Sequence, residues 1–216
     1  MRSLRLSVAA VSGVVFTIIA AACGQDLTTQ PASALRPPLP PTFDAAPTLS
    51  SVTNLAIPFV IKPYDDNRIW LGPHYLVIPA NSVCDPATSG YGDTMWNRPC
   101  DTIKRSITVI ATVTTKNGHP LVEFDTHLRF KPTPDNSAAV MLYLRDPNAN
   151  SASKITWCPT IVSAVCIDES ASASNAPQLK TWFDNSSFWV YRRIQHFSGY
   201  NVTGSRDDGS DSTSGQ

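Results

Sequence analysis

A chain of 216 residues with 17 lysines and arginines against 17 aspartates and glutamates has no formal net charge. That balance gives no electrostatic case for nucleic acid or an acidic surface, so no nucleic-acid partner is expected. No GxSxG, HExxH or phosphate-loop motif occurs and no internal repeat is visible, which argues against a conventional enzyme.

The chain opens "MRSLRLSVAAVSGVVFTIIAAACG", with Arg2 and Arg5 followed by an apolar run from Leu6 to Ala22. This is the charged region and apolar region of a secretory signal peptide over residues 1–22. The run is marginal as a permanent span of roughly 30 Å of hydrocarbon. It ends "AAAC", which resembles the lipobox of bacterial lipoproteins, with Ala20 where Leu or Val is usual. The resemblance implies that Cys23 is diacylated and starts the mature chain, making the membrane a partner through that lipid. Each buried CH₂ of such an anchor adds ~0.8 kcal/mol. Gly24, in place of Asp, resembles the pattern sent on to the outer membrane or cell surface. The alternative is a soluble secreted protein cut at a similar site.

Residues 23–50 hold Pro31, Pro37, Pro38, Pro40, Pro41 and Pro47. Proline lacks the N–H and fixes φ, so this stretch is expected to be an extended tether rather than helix or sheet interior. Residues 204–216 are mostly Gly, Ser and Asp without an apolar side chain, the composition of a disordered tail. Residues 51–203 between them make one domain's worth of core.

Beyond Cys23 four cysteines remain, Cys84, Cys100, Cys158 and Cys166. An even number in an exported chain implies two disulfides, for which three pairings exist. Cys84 with Cys100 and Cys158 with Cys166 are favoured because each closes a short loop between strand-like stretches. No CxxC occurs and no histidine is spaced with the cysteines as a zinc ligand would be, so no metal or cofactor is expected.

Alternation with period two gives the fold class. In "SITVIATVTT", Ile107, Val109, Ala111 and Val113 point one way. In "EFDTHLRFKP", Phe124, Thr126, Leu128 and Phe130 share a face, opposite Arg129 and His127. In "AAVMLYLRD", Val140, Leu142 and Leu144 alternate with Met141, Tyr143 and Arg145. Turn residues fill the breaks, and "NG" at 117–118 is a hairpin signal. Many short strands of this kind predict an all-β, antiparallel, immunoglobulin-like sandwich.

The pieces "GPHYLVIPANSV", "SITVIATV", "HPLVEFDTHLRFKP" and "FWVYRRIQHFSGYNV" come in an order that resembles the ZU-five domain. That is a β-sandwich of junctional, receptor and death-domain adaptor proteins, and the resemblance covers roughly residues 70 to 203. This chain departs from the pattern in its two cysteine-bearing loops, its tryptophans and the lack of a partner domain. In some members "HFS" is a self-cleavage site, which implies roles for His196, Phe197, Ser198 and Gly199. Ser198 would attack the Phe197 carbonyl, His196 would take its proton, and Gly199 would tolerate the dihedrals of a strained turn. Alternatively "VYRRIQHFSGYNV" is an ordinary last strand, with Phe197 as a core anchor and no catalytic residue.

Other candidates are weaker. His74, His119 and His127 are expected to be solvated or capped. Asp65, Asp66 and Asn67 in "YDDNR" offer oxygens for Ca²⁺ but lack the rest of an EF-hand, so a solvated loop is expected. Asn185 and Asn201 lie in N-x-S/T triplets, which are discounted for a bacterial protein. Trp70, Trp96, Trp157, Trp182 and Trp189 could stack on a glycan or bury in a protein partner. The plainer expectation is packing, with Trp189 inside and Trp96 and Trp157 against the disulfides. The expected function is a lipid-anchored, extracytoplasmic binding or structural module, with self-cleavage second and a glycan-binding surface third.

Overall fold

The structure is a computed structural model. It describes residues 54–134, 136–160, 165–171 and 178–204, together with Pro37. The signal peptide, Cys23, the rest of the proline-rich stretch and the tail beyond Gly204 lie outside the described residues.

The strands are β1 (Leu55–Ile61), β2 (Asn67–Leu71), β3 (His74–Ile78), β4 (Ile107–Lys116), β5 (His119–Phe124), β6 (Met141–Arg145), β7 (Lys154–Cys158), β8 (Trp182–Asp184), β9 (Trp189–Arg193) and β10 (Gly199–Thr203). They form an all-β antiparallel sandwich of two five-stranded sheets, ordered β1-β4-β5-β10-β7 and β2-β3-β6-β9-β8. The alternation read from β4 is observed: Val109, Ala111 and Val113 are buried and Ile110 is exposed. The "NG" turn joins β4 to β5, with Asn117 and Gly118 both at positive φ, as a tight hairpin requires. One apolar core between the sheets includes Val109, Val113, Val122, Leu142, Leu144, Val190 and Phe197.

Two long strands expected from the sequence are each cut in two. "EFDTHLRFKP" leaves the ladder after Phe124. Asp125 takes the Ile110 N–H on its own carboxylate (2.8 Å), and a side chain that replaces a backbone partner ends regular pairing. Leu128 and Phe130 still reach the core. Arg129, expected on a solvated face, is buried and gives its guanidinium to the carbonyls of Gly90, Met95 and Arg98. The second case decides where the candidate site lies. "WVYRRIQHFSGYNV" is not one last strand: β9 pairs in the second sheet, β10 pairs in the first, and residues 194–198 cross the sandwich between them.

The two disulfides are Cys84–Cys100, Cα–Cα 5.5 Å, and Cys158–Cys166, Cα–Cα 4.3 Å. These are the favoured local pairings. They fit a domain that lives outside the reducing cytoplasm. Among the described residues no helix is long and apolar enough to cross a membrane.

Candidate functional site

The crossing segment carries the HFS triplet, and its backbone is held almost residue by residue. Ile194 N–H donates to the Val140 carbonyl, Phe130 N–H to Gln195, Phe197 N–H to Leu128 and Phe124 N–H to Ser198, at 2.8–3.1 Å. The chain bends at Gln195 and at Ser198. Phe197 is fully buried. Its ring stacks on Phe124 (centroids 4.1 Å apart) and meets Phe59 and Phe130 edge-on. It is a core anchor.

His196 is also fully buried, at the meeting point of both cysteine-closed loops. From the Cys84–Cys100 loop, Trp96 stacks flat on the imidazole (4.0 Å, 22°), and the Tyr91 hydroxyl lies 3.4 Å from Nδ1. Just past the Cys158–Cys166 loop, Glu169 Oε1 lies 3.2 Å from Nε2. A carboxylate only accepts, so Nε2 carries a proton, while Nδ1 faces the tyrosine hydroxyls. Tyr200 completes the cage, donating to the His196 carbonyl (2.7 Å) with its oxygen 3.3 Å from Nδ1.

Glu169 is fixed from the other side by Arg192. Burial alone would raise the Glu169 carboxyl, but the His196 hydrogen bond and the Arg192 charge outweigh it and hold it below the usual carboxylate range. Arg192 itself points into the core, where β9 alternation puts it in line with Leu142, and donates to the Ile155 carbonyl (2.9 Å). Its guanidinium lies 5.7 Å from the centre of the Tyr200 ring. A buried charge is tolerated only when paired in this way.

Ser198 is engaged elsewhere. Its hydroxyl accepts from Trp157 Nε1 (2.9 Å) and lies 3.3 Å from the Cys158 carbonyl, to which it donates. It makes no hydrogen bond to His196. The bond that self-cleavage would cut is nevertheless marked: Tyr91 donates its hydroxyl proton to the Phe197 carbonyl at 2.6 Å. Burial, then the nearby Glu169 charge, push the Tyr91 hydroxyl well up, against a smaller pull from the Ser198 hydroxyl. Tyr91 therefore remains a neutral donor.

Gly199 has a role other than the expected strained dihedral, since its φ is not positive. A Cβ there would lie 2.7 Å from the Cys158 carbonyl oxygen, so glycine is needed for β10 to close on β7.

The remaining candidates are dispersed. His74, expected solvated or capped, is buried rather than solvated, and its Nδ1 accepts the Arg145 N–H (3.1 Å). Burial lowers its pKa to about 3. His119, under the same expectation, is buried with Nδ1 2.7 Å from Asp146. His127 is exposed, edge-on to Tyr91. In the "YDDNR" turn, Asn67 binds Lys62 and Asp65 main-chain groups and Asp66 accepts the Ala80 N–H. The Asn67 amide and the Asp66 carboxylate are thus engaged in shaping the turn. Trp96 and Trp157 face His196 and Ser198, and Trp189, expected inside, lies half-buried on the outer face of the second sheet. Asn201 is buried within β10.

Sequence reasoning did not find Tyr91, Glu169, Arg192 and Tyr200. The available signal was their position: Tyr91 lies inside one cysteine loop and Glu169 three residues past the other. No family model, curated protein or solved structure matches this chain.

Proposed function

We propose that this chain is an extracytoplasmic β-sandwich of the ZU-five type, held at a membrane through lipid on Cys23, that works as a binding or structural module. The observation that carries this reading is the engagement of the HFS groups. The Ser198 hydroxyl is committed to Trp157 and Cys158, and both nitrogens of His196 face Glu169 and two tyrosines. A nucleophile needs a base within reach of its proton, whereas groups bonded in this manner lock two loops to a core. The exposed Val60 and Ile110 on the outer face of the first sheet offer surface to a protein or glycan partner.

The Tyr91 bond to the Phe197 carbonyl favours a second reading, self-cleavage. Ser198 Oγ would bond to the Phe197 carbonyl carbon and the C–N bond would break, converting the amide to an ester. The hydroxyl proton would pass to the released amine of Ser198, and water would then hydrolyse the ester. Tyr91 would hold the charge that develops on the oxygen, and the His196–Glu169 pair would shuttle the proton.

Intact mass of the exported protein, denatured and non-reduced, tests both. The expected result is one species with acyl mass on Cys23, residues 198–216 still attached, and two disulfides. Loss of the piece starting at Ser198, abolished by Ser198→Ala, would overturn the first reading in favour of the second. An N-terminus without acyl mass would remove the anchor.

A further inference from the structure

The outer face of the second sheet is built against the usual pattern. The pairing register sets Trp70 opposite Tyr75, Tyr75 opposite Tyr143, Tyr143 opposite Tyr191 and Tyr191 opposite Trp182. Residues directly opposite on paired strands share a face, so one aromatic from each of the five strands forms a continuous row. It lies on the side away from the core, because the alternate residues Leu76, Leu142 and Val190 are the ones that face inward. Yet Tyr75, Tyr143 and Tyr191 are at most 2% exposed. The described apolar residues clustered with them are side-by-side neighbours of the same sheet, apart from Ala139 just ahead of β6, and Arg68 on β2 bonds the Tyr75 hydroxyl from within that sheet. Neighbours in a row do not shield its top.

Three observations name the cover. Pro37 lies alone among the described residues ahead of Asn54, and it is buried. The chain enters the sandwich at Leu55, whose Cδ2 lies 3.6 Å from where a Cβ on Gly72 would be. That is the turn joining β2 to β3, next to Trp70 and Tyr75. From there the stretch back to Pro37 can reach roughly 60 Å, far more than the roughly 19 Å width of five strands. The sequence there, "LRPPLPPTF" at 35–43, pairs Pro37 with Pro40 and Pro38 with Pro41. A polyproline II helix repeats every three residues, about 9.3 Å, which matches twice the strand spacing, about 9.6 Å. Prolines three apart thus fall over every second aromatic of the row. Proline-rich segments dock on aromatic surfaces because little chain entropy is lost.

We propose that residues 35–43 of this chain lie across the aromatic row Trp70–Tyr75–Tyr143–Tyr191–Trp182 as a polyproline II segment and form the third layer of the domain. This inference does not depend on the anchor or on the fate of the Phe197–Ser198 bond. If the anchor reading also holds, the free tether is only the part between Cys23 and the docked prolines, and the sandwich sits close to the membrane.

Hydroxyl-radical footprinting of the exported chain, unchanged and as the Pro37→Glu, Pro40→Glu variant, tests it. The expected result is a severalfold rise in modification at Tyr75, Tyr143 and Tyr191 in the variant, with Phe197 in the core unchanged as a folding control. Unaltered shielding of the three tyrosines overturns it. So does shielding that grows with protein concentration, which assigns the row to a second copy, or shielding that needs added oligosaccharide. In a second measurement Leu39 is replaced by photo-crosslinking benzoylphenylalanine. Crosslinks within one chain to β3, β6 or β9 are expected. Crosslinks elsewhere, between isotopically distinct chains, or none at all overturn the proposal.

Discussion

The crossing segment and the outer aromatic row invert the same rule in opposite directions. At the crossing, Arg192, Glu169 and His196 are packed inside, where charge is costly. On the outer face of the second sheet, tyrosines and tryptophans are packed where polar residues are usual. The inside is stable because every charged group there has a partner: Arg192 with Glu169, Glu169 with His196. The outside is dry because something lies over it. Burial is decided by what satisfies or covers a side chain, and its own polarity is only one input.

Removing one partner of the inner set is the strongest way to break that account. Glu169→Ala leaves Arg192 in the core with the Ile155 carbonyl and the Tyr200 ring but no counter-charge, and such a loss costs about 3–5 kcal/mol. Urea unfolding checks it. A Glu169→Ala protein that is as stable as the parent would mean that Arg192 finds water, and that the crossing is less closed than described. Opening the loop that brings Tyr91 and Trp96 to His196 comes next. Cys84→Ala with Cys100→Ala removes a 16-residue separation, about 3 kcal/mol in the chain-entropy model. Differential calorimetry with and without reductant measures it. Reductant should shift the parent and leave the variant nearly unmoved apart from the Cys158–Cys166 loop.

Acid titration is the third test, smaller in effect. His74 is held neutral by burial, with a folded pKa of about 3 against the 6.5 of an ordinary histidine. Between those values the unfolded chain binds a proton that the folded chain refuses. Stability therefore rises with pH across the window and is complete above it. From pH 7 to pH 5 this one group removes about 2 kcal/mol. Glu169 adds in the same direction only lower down, since its depressed carboxyl gives stability that is lost as pH falls through its folded value. His74→Gln should flatten the pH 5–7 slope while leaving the acid limb. A slope that persists in the variant would assign it to another group.

What the sequence made legible follows from what alternation can report. Period two says which residues share a face, and it correctly grouped Val109 with Val113 and Leu142 with Leu144. It does not say whether the other face is covered. Alternation therefore set Tyr143 on the face opposite Leu142 and Leu144 without showing that it is buried there. Alternation also continues through a change of sheet. β9 and β10 read as one strand because Val190, Ile194, Tyr200 and Val202 keep one parity through the crossing, and Phe197, buried on the opposite parity, is the only core residue that marks it. The short spacings made the cysteine pairing legible. The cage around His196 was not, because Tyr91 and Glu169 lie 105 and 27 residues away from it in the chain, and nothing local marks either as its partner.

The smallest expected effect sharpens the outer side of the comparison. Trp182 ends the aromatic row on β8, the edge strand, where it is half-buried beneath the Lys180 ammonium at 4.6 Å. Its pairing with Tyr191 is a single cross-strand contact, and such pairs are worth roughly 0.2–1 kcal/mol. If the row served only the fold, Trp182→Ala would cost about that much and change nothing else. If the row is a seat for the proline-rich segment, the same substitution removes one of its supports. Tyr191, its direct neighbour, should then gain radical reactivity out of proportion to the stability lost, while Tyr75 at the far side stays shielded. A graded loss of cover along the row would show a segment lifting from one end. Equal reactivity at Tyr75 and Tyr191, with a stability loss under about 1 kcal/mol, would instead mean that each tyrosine is shielded by its own neighbours and that no layer spans them.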